Sequence, residues 1–343
     1  MVVITTLIPF GKQNSDPTVK QITYDYMLQS FNPSALGTGV ETTGEPDINQ
    51  PMACALIARA TALKHDKAVV ASAADCLIET RSTGNGVGWG LGWAWDAFGD
   101  GSKNSADTVY GITTSFAIDG LISAYEVTGA DKYRAAAISA LDYYSKFIEL
   151  DQGKHYFWYS DKPVDAKNVY NVNAMMAGTF AEAGQKFNRK DFQSIASKVI
   201  QTVIGDAILK GGEYTWHYAD IPRTRFNDII HAAYIVYGIT RVQRETGTVL
   251  LDQSRMINYL SSFNSDGGLL EFRPSEISHA KNGRARGWGL GMAAYVLAYL
   301  GDLEMANALI AQLKDYEYAP NRFSYNFGDQ LDTSKNLSKS LIL

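Results

Sequence analysis

The 343 residues are 46% hydrophobic and 20% charged, enough apolar side chain to close a sizeable core and too much for a disordered chain. A net charge of −5 excludes a general nucleic-acid binder, which carries a basic excess or stripe. No apolar run reaches membrane-spanning length, so no membrane insertion is expected.

The start, MVVITTLIPFGKQ, has a short apolar run without a basic n-region or a small-residue cleavage site and does not read as a signal peptide. That leaves two compartments open, the cytoplasm or export with a leader already removed. Residues 17–30 (PTVKQITYDYMLQS) read as a helical end. Residues 50–82 read as two helices broken near His65 and Asp66, with apolar residues at three- and four-residue spacing. Cys54 and Cys76 lie in this segment without metal-ligand spacing and read as two buried thiols.

The pentapeptide GWGLG then appears at 88–92 and returns at 287–291. The first copy runs into GWAWDAFGDGS, with too much glycine for a long helix, so it reads as a connection. In it Trp93 and Trp95 follow each other at strand-like spacing, which exposes at least one of them to a ligand. Residues 105–150 form the second helical pair, with VTGAD supplying a Gly stop and an Asp N-cap. Pairs follow at 168–208, broken at FNRKD, at 226–263, broken at ETGT, and at 284–316, broken at LGD. The second GWGLG opens the last pair, where its glycines let neighbouring helices approach closely. Residues 329–343 are the closing helical end. Strand-like stretches are few and aromatic: HYFWYS (155–160), EYTWHY (213–218) and RFSYNF (322–327).

In each pair the first helix is apolar nearly all round and the second amphipathic, so the first is buried on every side and the second faces water. Repetition at about 40–60 residues is the mark of stacked helical hairpins. The expected fold is all-α: a single domain over 1–343 forming an (α/α)6 toroid, its terminal helices closing the ring as a sixth hairpin. A five-hairpin barrel is the alternative.

Polar residues gather at the starts of the inner helices. Asp107, Tyr110 and Thr114 fall on one helical face, as do Tyr170 and Asn173, next to Asn168 and Asn171; Asn227, His231 and Tyr234 follow the i, i+4, i+7 pattern, with Asp228 beside them. Arg284 is four residues before Trp288, adjoining Arg286. Buried without partners, such groups cost several kcal/mol each, so they pair or line a wet cavity. Simpler roles exist for several: Asp107 as a helix cap, His231 as a satisfied core histidine, Arg223 and Arg225 paired with Asp220 and Asp228.

The segments NVYNVNAMMAG (168–178), EYTWHY (213–218) and RFNDIIHAAYIVYGI (225–239) resemble carbohydrate-active enzymes built on an (α/α) toroid. The six-hairpin glycosidases, the toroidal polysaccharide lyases and the helical domain of glucuronyl C5-epimerases are the families meant. The resemblance implies an oligo- or polysaccharide substrate and, on the lyase pattern, a Tyr/His pair with Asn and Arg partners. The matching candidates are His217, Tyr218, Arg223, Arg225, His231 and Tyr234, with Asn171 or Asn173 opposite. Asp228 and Asp107 complete the catalytic set. Trp93, Trp95, Tyr110, Tyr170, Trp288, Arg284 and Arg286 complete the binding set.

Arginine suits bidentate capture of a carboxylate, which tips the expectation toward an anionic, uronate-containing substrate and lyase or epimerase chemistry. The alternatives are a glycoside hydrolase using paired carboxylates among Asp96, Asp100, Asp107, Asp228 and Asp329, and a non-catalytic glycan binder. No phosphate loop, dinucleotide fingerprint, zinc signature or calcium loop is present, so neither cofactor nor metal is expected. A monomer or homodimer fits equally.

Overall fold

In the computed structural model, residues 51–82, 87–221, 226–277, 282–319 and 322–323 are described. They form five helical hairpins. The inner helices are α1 (Pro51–Ala62), α3 (Gly111–Thr128), α5 (Tyr170–Lys186), α7 (Ile229–Thr246) and α9 (Gly287–Tyr299). Their outer partners are α2 (Lys67–Glu79), α4 (Asp131–Tyr144), α6 (Lys190–Gly205), α8 (Gln253–Ser261) and α10 (Leu303–Ala311). Each inner helix packs on its own outer partner and on the next inner helix. The terminal segments 17–30 and 329–343, expected to form a sixth hairpin, lie outside the described residues.

Most of the breaks read from sequence carry caps, although at FNRKD Arg189 starts α6 with no side-chain hydrogen bond. Asp66, Asp228, Asp252 and Asp302 each accept a hydrogen bond from the backbone N–H three residues on, starting α2, α7, α8 and α10. Gly129 takes the left-handed conformation, at φ 72°, that ends α3. Asp131, expected as a cap, is instead the first residue of α4. Inner helix α3 is buried around nearly its whole circumference.

Because every outer helix returns the chain, all inner helices run in one direction and their starts collect at one end. The connections there carry two-stranded hairpins: β1 (Ile148–Asp151) with β2 (Lys154–Phe157), β3 (Ile208–Lys210) with β4 (Glu213–Thr215), and β5 (Asn264–Ser265) with β6 (Gly268–Leu269). A fourth, β7 (Glu317–Ala319) with β8 (Arg322–Phe323), follows α10. The strand-like aromatic stretches supplied one strand of three of these, and short segments of mixed polarity such as IELD and ILK supplied their partners.

Close helix contacts rest on glycine. A Cβ on Gly238 of α7 would lie 2.1 Å from the Ala174 carbonyl oxygen of α5, and one on Gly289 would meet Ile229 at 2.7 Å. We expect Gly238→Ala to destabilise the protein by about 1–3 kcal/mol or more, read by urea denaturation, because backbone must move. An unchanged midpoint would show that α5 and α7 separate without cost.

One expectation is corrected. Cys54 and Cys76 are not free thiols but a disulfide, with Cα atoms 6.2 Å apart, joining α1 to α2. Their spacing carried no signal because the pairing depends on how the two helices pack. Trp89, in the first GWGLG, is fully buried and donates its indole N–H to the Leu77 carbonyl at 2.6 Å, so it fills core. That copy is a connection, as expected, and the second begins α9.

Deep in the ring, towards the far ends of the inner helices, lies an ionic network that the sequence reading did not contain. Arg241 of α7, with its side chain 1% exposed, holds Asp119 of α3 and Glu182 of α5. Arg59 of α1 donates to Tyr237 Oη at 2.6 Å and Tyr295 Oη at 3.1 Å. Burial raises the Glu182 carboxyl, but Arg241, Lys186 and Arg244 outweigh it and lower it from 4.5 to about 2. A depressed carboxyl stabilises the fold fully above its unfolded value and loses that contribution as pH falls through the folded one. Thermal stability should therefore fall between about pH 4.5 and pH 2, and Glu182→Gln should flatten that limb. A limb unchanged by the substitution would assign acid unfolding to other carboxyls.

Candidate active site

The mouth, where the inner helices start, gathers a histidine, three carboxylate or guanidinium partners and a run of aromatic rings. Asp228 ends its extended segment as the cap of α7, which turns its carboxylate back over the first turn. There Oδ1 accepts from the His231 backbone N–H at 2.9 Å and lies 2.7 Å from His231 Nδ1. A carboxylate only accepts, so Nδ1 carries the proton and the neutral ring keeps its lone pair on Nε2. The His231 side chain is 29% exposed, enough to meet a ligand.

The second Asp228 oxygen accepts from Arg286 Nη2 at 2.8 Å. Arg286 immediately precedes α9, and its Nε and backbone N–H donate to the two carboxylate oxygens of Glu271 at 2.7 and 2.9 Å. Burial raises the Asp228 carboxyl, yet His231 and then Arg286 outweigh it and hold it below the usual carboxylate value. Tyr218, just past β4, sets its ring edge-on to His231 at 5.0 Å, and Tyr234, one turn further along α7, lies at 6.3 Å. Tyr234 is buried against Phe116.

Tyr159 extends this wall. Its ring packs against Phe98 at 5.2 Å and Tyr110 at 5.6 Å, and its hydroxyl, raised by burial, exchanges hydrogen bonds with Tyr218 and Trp95. The Trp95 ring is 41% exposed.

His231, Asp228, Tyr218, Tyr234, Arg286 and Trp95 thus come together as expected candidates. The others are placed differently. His217 is exposed and stacks on Phe226 at 6.1 Å; strand alternation turns it to the face opposite Tyr218. Asp107 is exposed at φ 59°, four residues before α3 begins, so it neither caps that helix nor shares a face with Tyr110. Tyr110 is buried behind Tyr159, its hydroxyl pushed up to about 12 by burial.

Asn173 is fully buried, accepts from the Phe157 N–H at 2.6 Å and donates to Asn168 and Val169, which fixes β2 against α5 rather than facing the bowl. Asn171 is likewise buried. Tyr170 donates to Asp206 at 2.9 Å, a carboxylate also held by Lys154. Arg284 points to the Gly267 carbonyl, Gln312 and Asp315, since it precedes α9 rather than sharing a helical face with Trp288. Trp288 and Trp93 are half-buried, Trp288 against the core. Arg223 and Arg225 lie outside the described residues.

Among carboxylates proposed for hydrolysis, Asp96 accepts from the backbone of Gly99 and Gly101, and Asp100 holds Ser102 and Lys167. Asp329 lies outside the described residues. Sequence reasoning missed Tyr159 and Glu271. The alternation in HYFWYS was the one local signal for Tyr159; Glu271 had none.

No protein-family model and no curated protein sequence matches the chain. Solved structures do. A novel alpha-amylase from Clostridium perfringens superposes with a TM-score of 0.67 at 15% identity over 96% of this chain and 95% of that one. The fold is that of the (α/α)6 toroid enzymes, of which the described residues form five hairpins. A family 76 glycoside hydrolase from a bovine Bacteroides thetaiotaomicron strain matches with a TM-score of 0.63 at 10% identity, covering 88% and 68% of the two chains. An unsaturated glucuronyl hydrolase from Bacillus sp. GL1 matches at 0.54 and 14% identity, covering 87% and 84%. No described helix is long and apolar enough to cross a membrane.

Proposed function

We propose that the chain is a carbohydrate-active enzyme, a polysaccharide lyase or epimerase acting on a uronate-containing chain. The observation that carries this reading is the 2.7 Å contact of Asp228 Oδ1 with His231 Nδ1, beside the Tyr218 ring. It gives a base with a fixed tautomer and an acid next to it, the two parts that proton abstraction beside a carboxylate requires. His231 Nε2 takes the proton from the sugar carbon bearing the carboxylate, the freed pair forms the C=C bond, and the leaving oxygen departs with the Tyr218 proton. An epimerase would instead return a proton to the opposite face.

The names of the matched structures favour a second reading, glycoside hydrolysis in the same mouth. The carboxylates it would use among the described residues are engaged: Asp228 by His231 and Arg286, Asp100 by Lys167. For either reading the resemblance to solved toroid enzymes supports a sugar substrate, and the exposed Trp95 face suits a sugar ring. Arg284, Arg286 and Asn173, expected to bind the carboxylate, are each engaged within the protein.

The test is incubation with a panel of acidic polysaccharides, pectate, alginate and hyaluronan among them, while absorbance of the unsaturated uronate is followed. Growth of that absorbance supports elimination. New reducing ends without it would overturn elimination in favour of hydrolysis. Deuterium uptake without cleavage would select the epimerase, and binding without product a glycan-binding protein.

A further inference from the structure

We propose that Glu271 is a positioning residue which sets the proton affinity of His231 through Arg286 and Asp228; the proposal rests on the reading of His231 as the base. The chain of contacts is continuous. Glu271 holds the Nε and backbone N–H of Arg286, Arg286 Nη2 holds Asp228 Oδ2, and Asp228 Oδ1 holds His231 Nδ1. Glu271 is itself fixed at both backbone ends, its carbonyl accepting from Ile229 N–H at 2.9 Å and its N–H donating to Gly283 at 2.9 Å. Its carbonyl therefore ties it to the first residue of the helix that carries His231. Side-chain exposures of 14% for Glu271 and 11% for Asp228 limit screening of the two carboxylates, while Arg286 between them is 32% exposed.

The charge count gives the consequence. One guanidinium stands between two carboxylates, so the group presents a net negative charge to the imidazole. Without Glu271, Arg286 would serve Asp228 alone and cancel it. Without Arg286, both carboxylates would act on His231 unopposed. The remaining described groups around the ring, Tyr218 from the β4 connection, Tyr159 behind it and Tyr234 on α7 itself, are phenols that are neutral near pH 7 and leave that count unchanged.

Substitution of the two residues should thus move His231 in opposite directions. In the full chain, the His231 titration is followed by NMR and assigned by its loss in His231→Asn. Glu271→Gln should lower the midpoint by on the order of half a pH unit and Arg286→Met should raise it by a similar amount. Local damage to the fold would not yield shifts of opposite sign. The acid limb of kcat/KM should move with each midpoint. Midpoints that stay put, or that move the same way in both variants, overturn the proposal. Should Glu271→Gln fail to fold, Glu271→Asp takes its place, its shorter side chain withdrawing the carboxylate from Arg286: a lowered midpoint supports the relay, and an unchanged or raised one overturns it. The titration needs no substrate, so opposite shifts with a pH profile that ignores them would sink the catalytic reading of His231 while leaving the relay intact.

Discussion

Replacing His231 by Ala should lower kcat/KM on the cleaved polysaccharide by about 10²–10⁴-fold, the range that a positioned general base contributes. The loss should appear mainly in kcat, because the imidazole acts in the transition state and contributes little to holding the sugar. Stability should change little, since the His231 side chain is 29% exposed and Asp228 keeps its bond to Arg286 at 2.8 Å. Asp228→Asn should cost less in rate than His231→Ala: the amide oxygen still accepts the Nδ1 proton, although the charge that steadies an imidazolium is gone. Measurement requires steady-state kinetics with circular dichroism as a check on the fold. A His231→Ala protein with near-normal kcat/KM would remove His231 from the reaction and, with it, the assignment of Tyr218 as its acid.

Replacing Arg241 by Met should destabilise the protein by about 3–5 kcal/mol, because a buried ion pair broken from one side leaves the other side charged and unpaired. The side chain is 1% exposed and bonds Asp119 at 2.7 and 3.0 Å, Glu182 at 2.8 Å and Thr179 at 3.1 Å. Methionine fills similar volume, so the effect measures charge rather than a cavity. Asp119 would retain Arg59 at 3.7 Å, which limits the loss. Adding Asp119→Asn to Arg241→Met should recover part of the stability, as it removes one stranded charge. Urea denaturation of the two variants beside the parent protein reads this directly, and a loss under about 1 kcal/mol for Arg241→Met would mean that water reaches the network.

The sequence by itself determined the repeated helical pairs, which of each pair is buried, and most of the breaks between them. Those are local properties: a hydrophobic period, an Asp three residues before a free N–H, a glycine in the left-handed region. It also placed His231 and Tyr234 on one helix, because their spacing lies within one turn; Asn227, expected on the same face, instead precedes the helix and bonds the Trp216 carbonyl, and Asp228 proves to be the cap. Only the tertiary structure decided which side chains meet. Arg286 reaches Asp228 across 58 residues and Arg241 reaches Asp119 across 122. Neighbouring Arg284 turns to Asp315 instead, since the helix starts three residues after it. Cys54 and Cys76 join for the same reason, that the distance between side chains on different helices is set by packing and has no period in the chain.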